Sequence, residues 1–120
     1  VEANVRHAVT SHRTVIDALL TLHELPAAEA ERLLGFDRTV FAPCTPVTLA
    51  ELEAAVRTVV APSTHEALGR VTYEAQPALS AAVASFPSRV DASRALALGM
   101  APSLDAQAMV RAYAEDFPQA

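Results

Sequence analysis

Lysine is absent from this 120-residue chain; all nine basic residues are arginines. That absence excludes Schiff-base chemistry, a Walker lysine on a phosphate and a Tyr-x-x-x-Lys catalytic pair. Tyr73 and Tyr113 are followed four positions on by Pro77 and Phe117. Glycine is scarce, and Gly35, Gly69 and Gly99 lie far apart, so no Gly-rich loop can cradle a pyrophosphate. A single cysteine, Cys44, cannot form an internal disulfide, which fits a reducing cytoplasm. Acidic residues outnumber basic ones 14 to 9, for a net charge of −5. Nucleic acid demands the opposite, a basic face that neutralises phosphates. No apolar run approaches the roughly 18–20 residues that span a bilayer. No charged segment followed by an apolar one marks a signal peptide. Neither nucleic acid nor membrane is therefore expected as a partner.

Apolar residues make up 52% of the chain, but many are alanine, which favours helix and buries little area. With no tryptophan and few other aromatics, the predicted core is thin. The length suits one domain, taken as residues 1–120.

Local signals predict mostly helix. Residues 1–13 read as an irregular or short extended entry. Ser11 is placed to cap a helix from His12 to Glu24, with Val15, Ile16, Leu19, Leu20 and Leu22 as its apolar stripe. Pro26 opens a second short helix that Gly35 stops. Residues 38–42 read as a strand bounded by Pro43 and Pro46. Thr48 and Glu51 form a capping box for a helix to about Val60, buried through Leu49, Leu52, Val56, Val59 and Val60. Ser63 and Glu66 repeat that pattern over a shorter stretch. Residues 71–74 alternate as a half-buried strand does. A helix is expected from Pro77 to Ser85, another capped by Asp91 and ending at Gly99, and a last one capped by Ser103. The sum is an α+β domain, mostly α, with two or so short strands.

The tail carries the most specific signal. Phe86-Pro87-Ser88-Arg89-Val90-Asp91 leads into Ala95-Leu96-Ala97-Leu98-Gly99, then Pro102-Ser103-Leu104 and a closing helix. In this order the elements resemble the C-terminal end of extended short-chain dehydrogenases/reductases, the NAD-dependent epimerase/dehydratase family. Ser11-His12-Arg13 is similar to that family's Ser-Pro-Arg segment, with His12 for the proline. Leu25-Pro26, Tyr73-Glu74 with Pro77, and Phe86-Pro87 extend the likeness over roughly residues 11–117. Within the family it looks most like the sugar-acid dehydrogenases of the D-erythronate type. The resemblance implies a substrate-binding lobe whose Rossmann lobe, with its Gly-rich loop and Tyr-x-x-x-Lys, is missing. NAD or NADP would then serve the complete enzyme, with none bound by this chain alone. The start at Val1, without methionine, fits a fragment or the removal of a tag.

Four residues are candidates for binding a small anionic sugar acid. Arg89 lies in a turn that, by the resemblance, approaches the substrate; its planar fork suits a carboxylate or phosphate. It could equally pair with Asp91 or a helix end. Arg6, His7 and Arg13 cluster near the edge of the implied cleft. Arg6 and His7 could instead solvate a frayed terminus, and Arg13 could anchor the helix start.

Other residues fall short of a site. His23-Glu24 and His65-Glu66 begin like a zinc-protease motif, but Ala27 and Gly69 stand where the second histidine belongs. Cys44 precedes a capped helix, which can activate a thiol, yet a small residue in a tight turn explains it. Glu29 with Glu31, Glu51 with Glu53 and Glu115 with Asp116 are carboxylate pairs, but so spaced on a helix they point apart and read as solvated faces and dipole partners.

These readings predict the substrate-binding portion of an NAD-dependent oxidoreductase acting on a sugar acid, not catalytic by itself. The alternatives are a nucleotide-sugar epimerase lobe and a free-standing helical module for protein interaction. A lobe without its partner should expose an apolar patch or bury it by self-association.

Overall fold

The computed structural model describes residues 3–74 and 76–118. In order the elements are β1 (Arg6–Val9), α1 (His12–Glu24), α2 (Ala27–Leu34), β2 (Thr45–Thr48), α3 (Leu49–Val59), α4 (Pro77–Ala84), α5 (Ser93–Ala97) and α6 (Ala106–Asp116). A single 3₁₀ turn spans Pro62–Thr64. The fold class is α+β, mostly helical, with one two-stranded antiparallel sheet.

The strands are not the ones expected. Residues 38–42 and 71–74 are irregular, and the sheet instead pairs Arg6 with Thr48, His7 with Val47, Ala8 with Pro46 and Val9 with Thr45. A proline inside a strand argues against pairing, but here it costs nothing. The Ala8 N–H donates to the Pro87 carbonyl at 3.0 Å, so Ala8 faces away from β2. Its opposite number Pro46 must then also face outward, where the missing N–H takes no ladder bond away. The Pro46 carbonyl, equally outward, accepts from Arg6 Nη1 at 2.9 Å. Residues 71–74 alternate as expected, but all are exposed, and among the described residues no strand lies beside them.

Helix starts follow the sequence closely. The buried Ser11 hydroxyl accepts from the Thr14 N–H at 3.0 Å. Thr48 Oγ1 accepts from the Glu51 N–H at 3.0 Å, and Glu51 Oε2 accepts from the Thr48 N–H at 2.8 Å, closing the capping box. Gly35 and Gly99 take φ of 60° and 89°, a left-handed region where a side chain is strained. Three expected caps differ. Asp91 lies one residue outside α5, whose N-cap is Ala92, and accepts from the Ser93 N–H at 2.9 Å in a local turn. Asp105, not Ser103, caps α6 by accepting from the Ala108 N–H at 2.8 Å; the Ser103 hydroxyl is turned to Thr45 instead. Ser63 caps nothing, because Pro62 starts a 3₁₀ turn there.

The core is small, as the alanine content predicts. Among the described residues the buried apolar side chains are Ala18, Leu34, Val47, Ala55, Ala95, Met100, Met109 and Ala112. Half are alanines, so close backbone approach replaces bulk. One patch gathers Ala18, Ala95 and Met100, with Val40, Ala92 and Leu98 against them. Elsewhere α3 packs along α6, and Ala55, Met109 and Ala112 are their buried residues. The larger side chains expected to bury α3 do not: Leu49 is exposed, and Leu52, Val56, Val59 and Val60 are only half-buried.

The consequence is an open shape. The radius of gyration is 17.3 Å, with extents of 53 × 37 × 19 Å; a compact chain of this length would have about 13–14 Å. Val15, Ile16, Leu19 and Leu20 on α1 are exposed, and Phe36 is wholly so. α4 has no buried residue, and residues 77–87 carry no charge. A helix apolar on every side is normally enclosed.

Candidate functional site

The four candidate residues divide between two places. Arg6 leaves β1 and braces the sheet against α3: Nη1 donates to the Pro46 carbonyl, and Nη2 to Glu51 Oε1 at 3.1 Å. The same Glu51 closes the capping box of α3, and its carboxyl is held below the usual range, first by the Thr48 N–H and also by Arg6. The Arg6 guanidinium therefore has a structural task. His7, its neighbour, is half-buried opposite Val47. Its Nε2 is enclosed and has no hydrogen-bond partner, which is costly for a polar atom.

Arg89 comes to the same side of the molecule. The Pro87 carbonyl, two residues earlier, receives the Ala8 N–H, so the turn lies on the outer edge of β1. Arg89 is exposed and, among the described residues, makes no hydrogen bond or ion pair. The expected partner, Asp91, is turned the other way: Oδ1 accepts from the Ser93 N–H at 2.9 Å. The next arginine, Arg94, is spent differently, tying residues 37–39 to α5 through the carbonyls of Asp37 (2.7 Å) and Thr39 (3.1 Å).

Arg13 belongs to a separate clasp that the sequence did not announce. Its Nε donates to Asp116 Oδ2 at 2.6 Å, and its Nη2 to Asp116 Oδ1 at 2.7 Å and Glu115 Oε2 at 3.1 Å. Asp116 Oδ2 also accepts from His12 Nε2 at 2.7 Å. The Arg13 bond, then the His12 bond, hold the Asp116 carboxyl far below the ordinary carboxylate range. The His12 ring meets Tyr113 edge-on, with centroids 6.0 Å apart, and tilts against Phe117 at 5.3 Å. The start of α1 is thus fastened to the end of α6 across roughly the whole chain. One hint was in the sequence: Glu115 and Asp116 end a helix, where the dipole disfavours negative charge. Acids placed there call for a cation from elsewhere.

The two main grooves among the described residues do not gather the four candidates. One of about 430 Å³ runs between Arg13, Thr14, Asp17 and Thr21 of α1 and the segment Gly99–Leu104. Another of about 490 Å³ lies between β2, α3 and the start of α6. Neither is lined by Arg89 or His7. Cys44 is half-buried, its Sγ 3.3 Å from the Ala42 carbonyl. Burial pushes the Cys44 thiol up, opposite to what a nucleophile needs.

Among the described residues no helix start offers the glycine turn of a dinucleotide site. The six α-helices start from Ser11, Pro26, Thr48, Gln76, Ala92 and Asp105. None starts from the glycine turn that lets a backbone approach a pyrophosphate. Among the described residues no three of His, Cys, Asp and Glu gather as metal ligands, and no helix is long and apolar enough to cross a membrane. His65 Nε2 is bonded to the Val60 carbonyl at 3.0 Å. Compared with family models, curated proteins and solved structures, the chain matches none.

Proposed function

We propose that the chain is the substrate-binding portion of an NAD-dependent oxidoreductase of the extended short-chain dehydrogenase type, acting in the cytoplasm on a sugar acid. It works only with a nucleotide-binding lobe that supplies the cofactor site and the proton-transferring residues. The observation that carries this is the setting of Arg89. An arginine with no hydrogen bond or ion pair among the described residues follows the uncharged segment 77–87, whose Pro87 carbonyl is bonded to Ala8, the neighbour of His7. That is half of a cleft: an anion clamp on the rim of a surface that lacks its cover. Arg89 takes the substrate carboxylate as a bidentate fork, while His7, whose Nε2 is enclosed, sits on the adjoining strand behind it. Arg6 and Arg13 position the elements rather than touch ligand.

The test has two arms. With NAD or NADP and D-erythronate the chain alone should give no turnover. In solution NMR the same sugar acid should shift the amides of residues 7–8 and 88–90, and Arg89→Gln should abolish those shifts. Turnover by this chain, or sugar-acid shifts that survive Arg89→Gln, would sink the proposal. The uncovered apolar α4 also suits a free-standing helical interaction module. A nucleotide-binding segment with a Gly-rich start encoded upstream distinguishes the two.

A further inference from the structure

The groove beside α1 is rich in acceptors, and the one charge in it without a partner is a carboxylate. At about 100° per residue, Arg13, Thr14, Asp17, Ala18 and Thr21 share one side of α1. That side faces the segment Gly99–Leu104 across a groove of about 430 Å³, within the usual range for small-molecule sites. The far wall is fixed in place. Met100 is buried with Ala18, and the N–H groups of Gly99 and Met100 donate to the Leu96 and Ala95 carbonyls, both at 3.0 Å.

Arg13 stands four residues before Asp17, where helical spacing would make it the natural counter-ion. Its guanidinium is instead taken by Asp116 and Glu115, two carboxylates on one cation. Asp17 is left with no hydrogen bond or ion pair among the described residues, and so is the Thr21 hydroxyl one turn further on. The wall adds acceptors, since the carbonyls of Gly99, Met100, Ala101 and Pro102 receive no bond from the described residues. It adds few donors: two of its N–H groups are spent on α5, and Pro102 has none. An anionic ligand would meet Asp17 and the surplus negative charge of the clasp. A divalent metal wants six or more oxygen ligands, several of them charged, and among the described residues no metal-binding group of three assembles. What the groove lacks is a cation that brings its own hydrogen-bond donors.

We infer that this groove binds a small organic molecule through a primary ammonium group. The ammonium donates to the Asp17 carboxylate and to the Thr21 hydroxyl oxygen, neighbours at helical spacing. The carbon body lies along Ala18, Met100 and Leu104. Asp17 is exposed, so water competes and a minimal ligand binds in the millimolar range. The inference does not rest on the function proposed above. Arg89 does not line this groove, and a sugar acid carries the opposite charge.

Solution NMR with n-butylammonium tests it. The amides of Asp17, Ala18, Thr21, Gly99, Met100 and Leu104 should shift along one saturable isotherm, while butyrate and 1-butanol leave them in place. Asp17→Asn should weaken binding about fivefold and Thr21→Val about threefold. Both positions face the groove, so both variants should keep wild-type helicity by circular dichroism. Glu24→Gln, which removes another unpartnered acid from the same helix, should change nothing. No saturable shift below about 50 mM would overturn the inference. So would binding indifferent to Asp17→Asn, or an equal loss in Glu24→Gln, which would reduce the effect to net charge. Tighter binding of Nα-acetyl-lysine amide than of n-butylammonium would also overturn it, by giving the groove to a lysine of another protein. Failure here leaves the Arg89 shifts with D-erythronate untouched, so the two readings fall separately.

Discussion

Met109→Ala tests whether the α3–α6 seam is the main source of stability. Met109 is 7% exposed and is one of only two buried residues on α6, the other being an alanine. Burying a methionine side chain stabilises by about 1.5–3 kcal/mol. Truncation adds the cost of the cavity, for a usual total of about 2–5 kcal/mol. No large side chain is fully buried among the described residues, so the rim can relax or admit water. That favours the lower half, about 2–3 kcal/mol. An isolated domain with so few bulky core residues should hold about 5 kcal/mol at most. The variant should therefore lose half its stability and melt on the order of 10 °C lower. Urea titration followed by circular dichroism measures it, with Phe36→Ala as the comparison. Phe36 is the larger and more apolar loss by composition, yet it is fully exposed and should change stability by no more than about 0.5 kcal/mol. If the two variants are equally destabilised, or their order is reversed, the assignment of the core is wrong.

Three further outcomes follow from the geometry. Thr48→Ala removes the acceptor for the Glu51 N–H and should cost about 1 kcal/mol, read by the same titration, whereas Ser103→Ala should leave α6 capped by Asp105. The depressed Asp116 pKa means its clasp stabilises fully above the unfolded carboxyl value of about 3.9 and is lost only as pH falls through the lower folded value. Acid unfolding should accordingly begin at higher pH in Asp116→Asn, and carboxylate NMR should show Asp116 still ionised where other aspartates have protonated. The raised Cys44 thiol should alkylate several-fold more slowly near neutral pH than an unstructured cysteine, and equal rates would contradict its burial.

Helix positions were legible because their signals are local. Ser11 and Thr48 cap the helices expected of them, and Pro26, Gly35 and Pro77 punctuate as their backbone chemistry requires. The strands were not legible, because pairing is a long-range event. Arg6-His7-Ala8-Val9 and Thr45-Pro46-Val47-Thr48 alternate weakly, and a proline in one of them argues against sheet until its partner is known. The buried face of α3 was misjudged for a related reason. Apolar periodicity marks the face that some surface should cover, and α3 buries Ala55 against α6 while its larger residues remain part-exposed. Of the site, only residue types were visible. Nothing local separates Arg13, whose fork is filled by an aspartate 103 positions away, from Arg89, whose fork has no partner among the described residues.

Pro46 has a bearing on how such a chain stays in solution. A sheet of two strands normally leaves a rim on which a stray segment can add itself. On the β2 rim the proline offers no donor, and the one acceptor is occupied by the Arg6 guanidinium. An intruding strand finds no foothold at that position. The exposed apolar surface of this molecule is thereby denied one route to the open-ended stacking that ends in fibres.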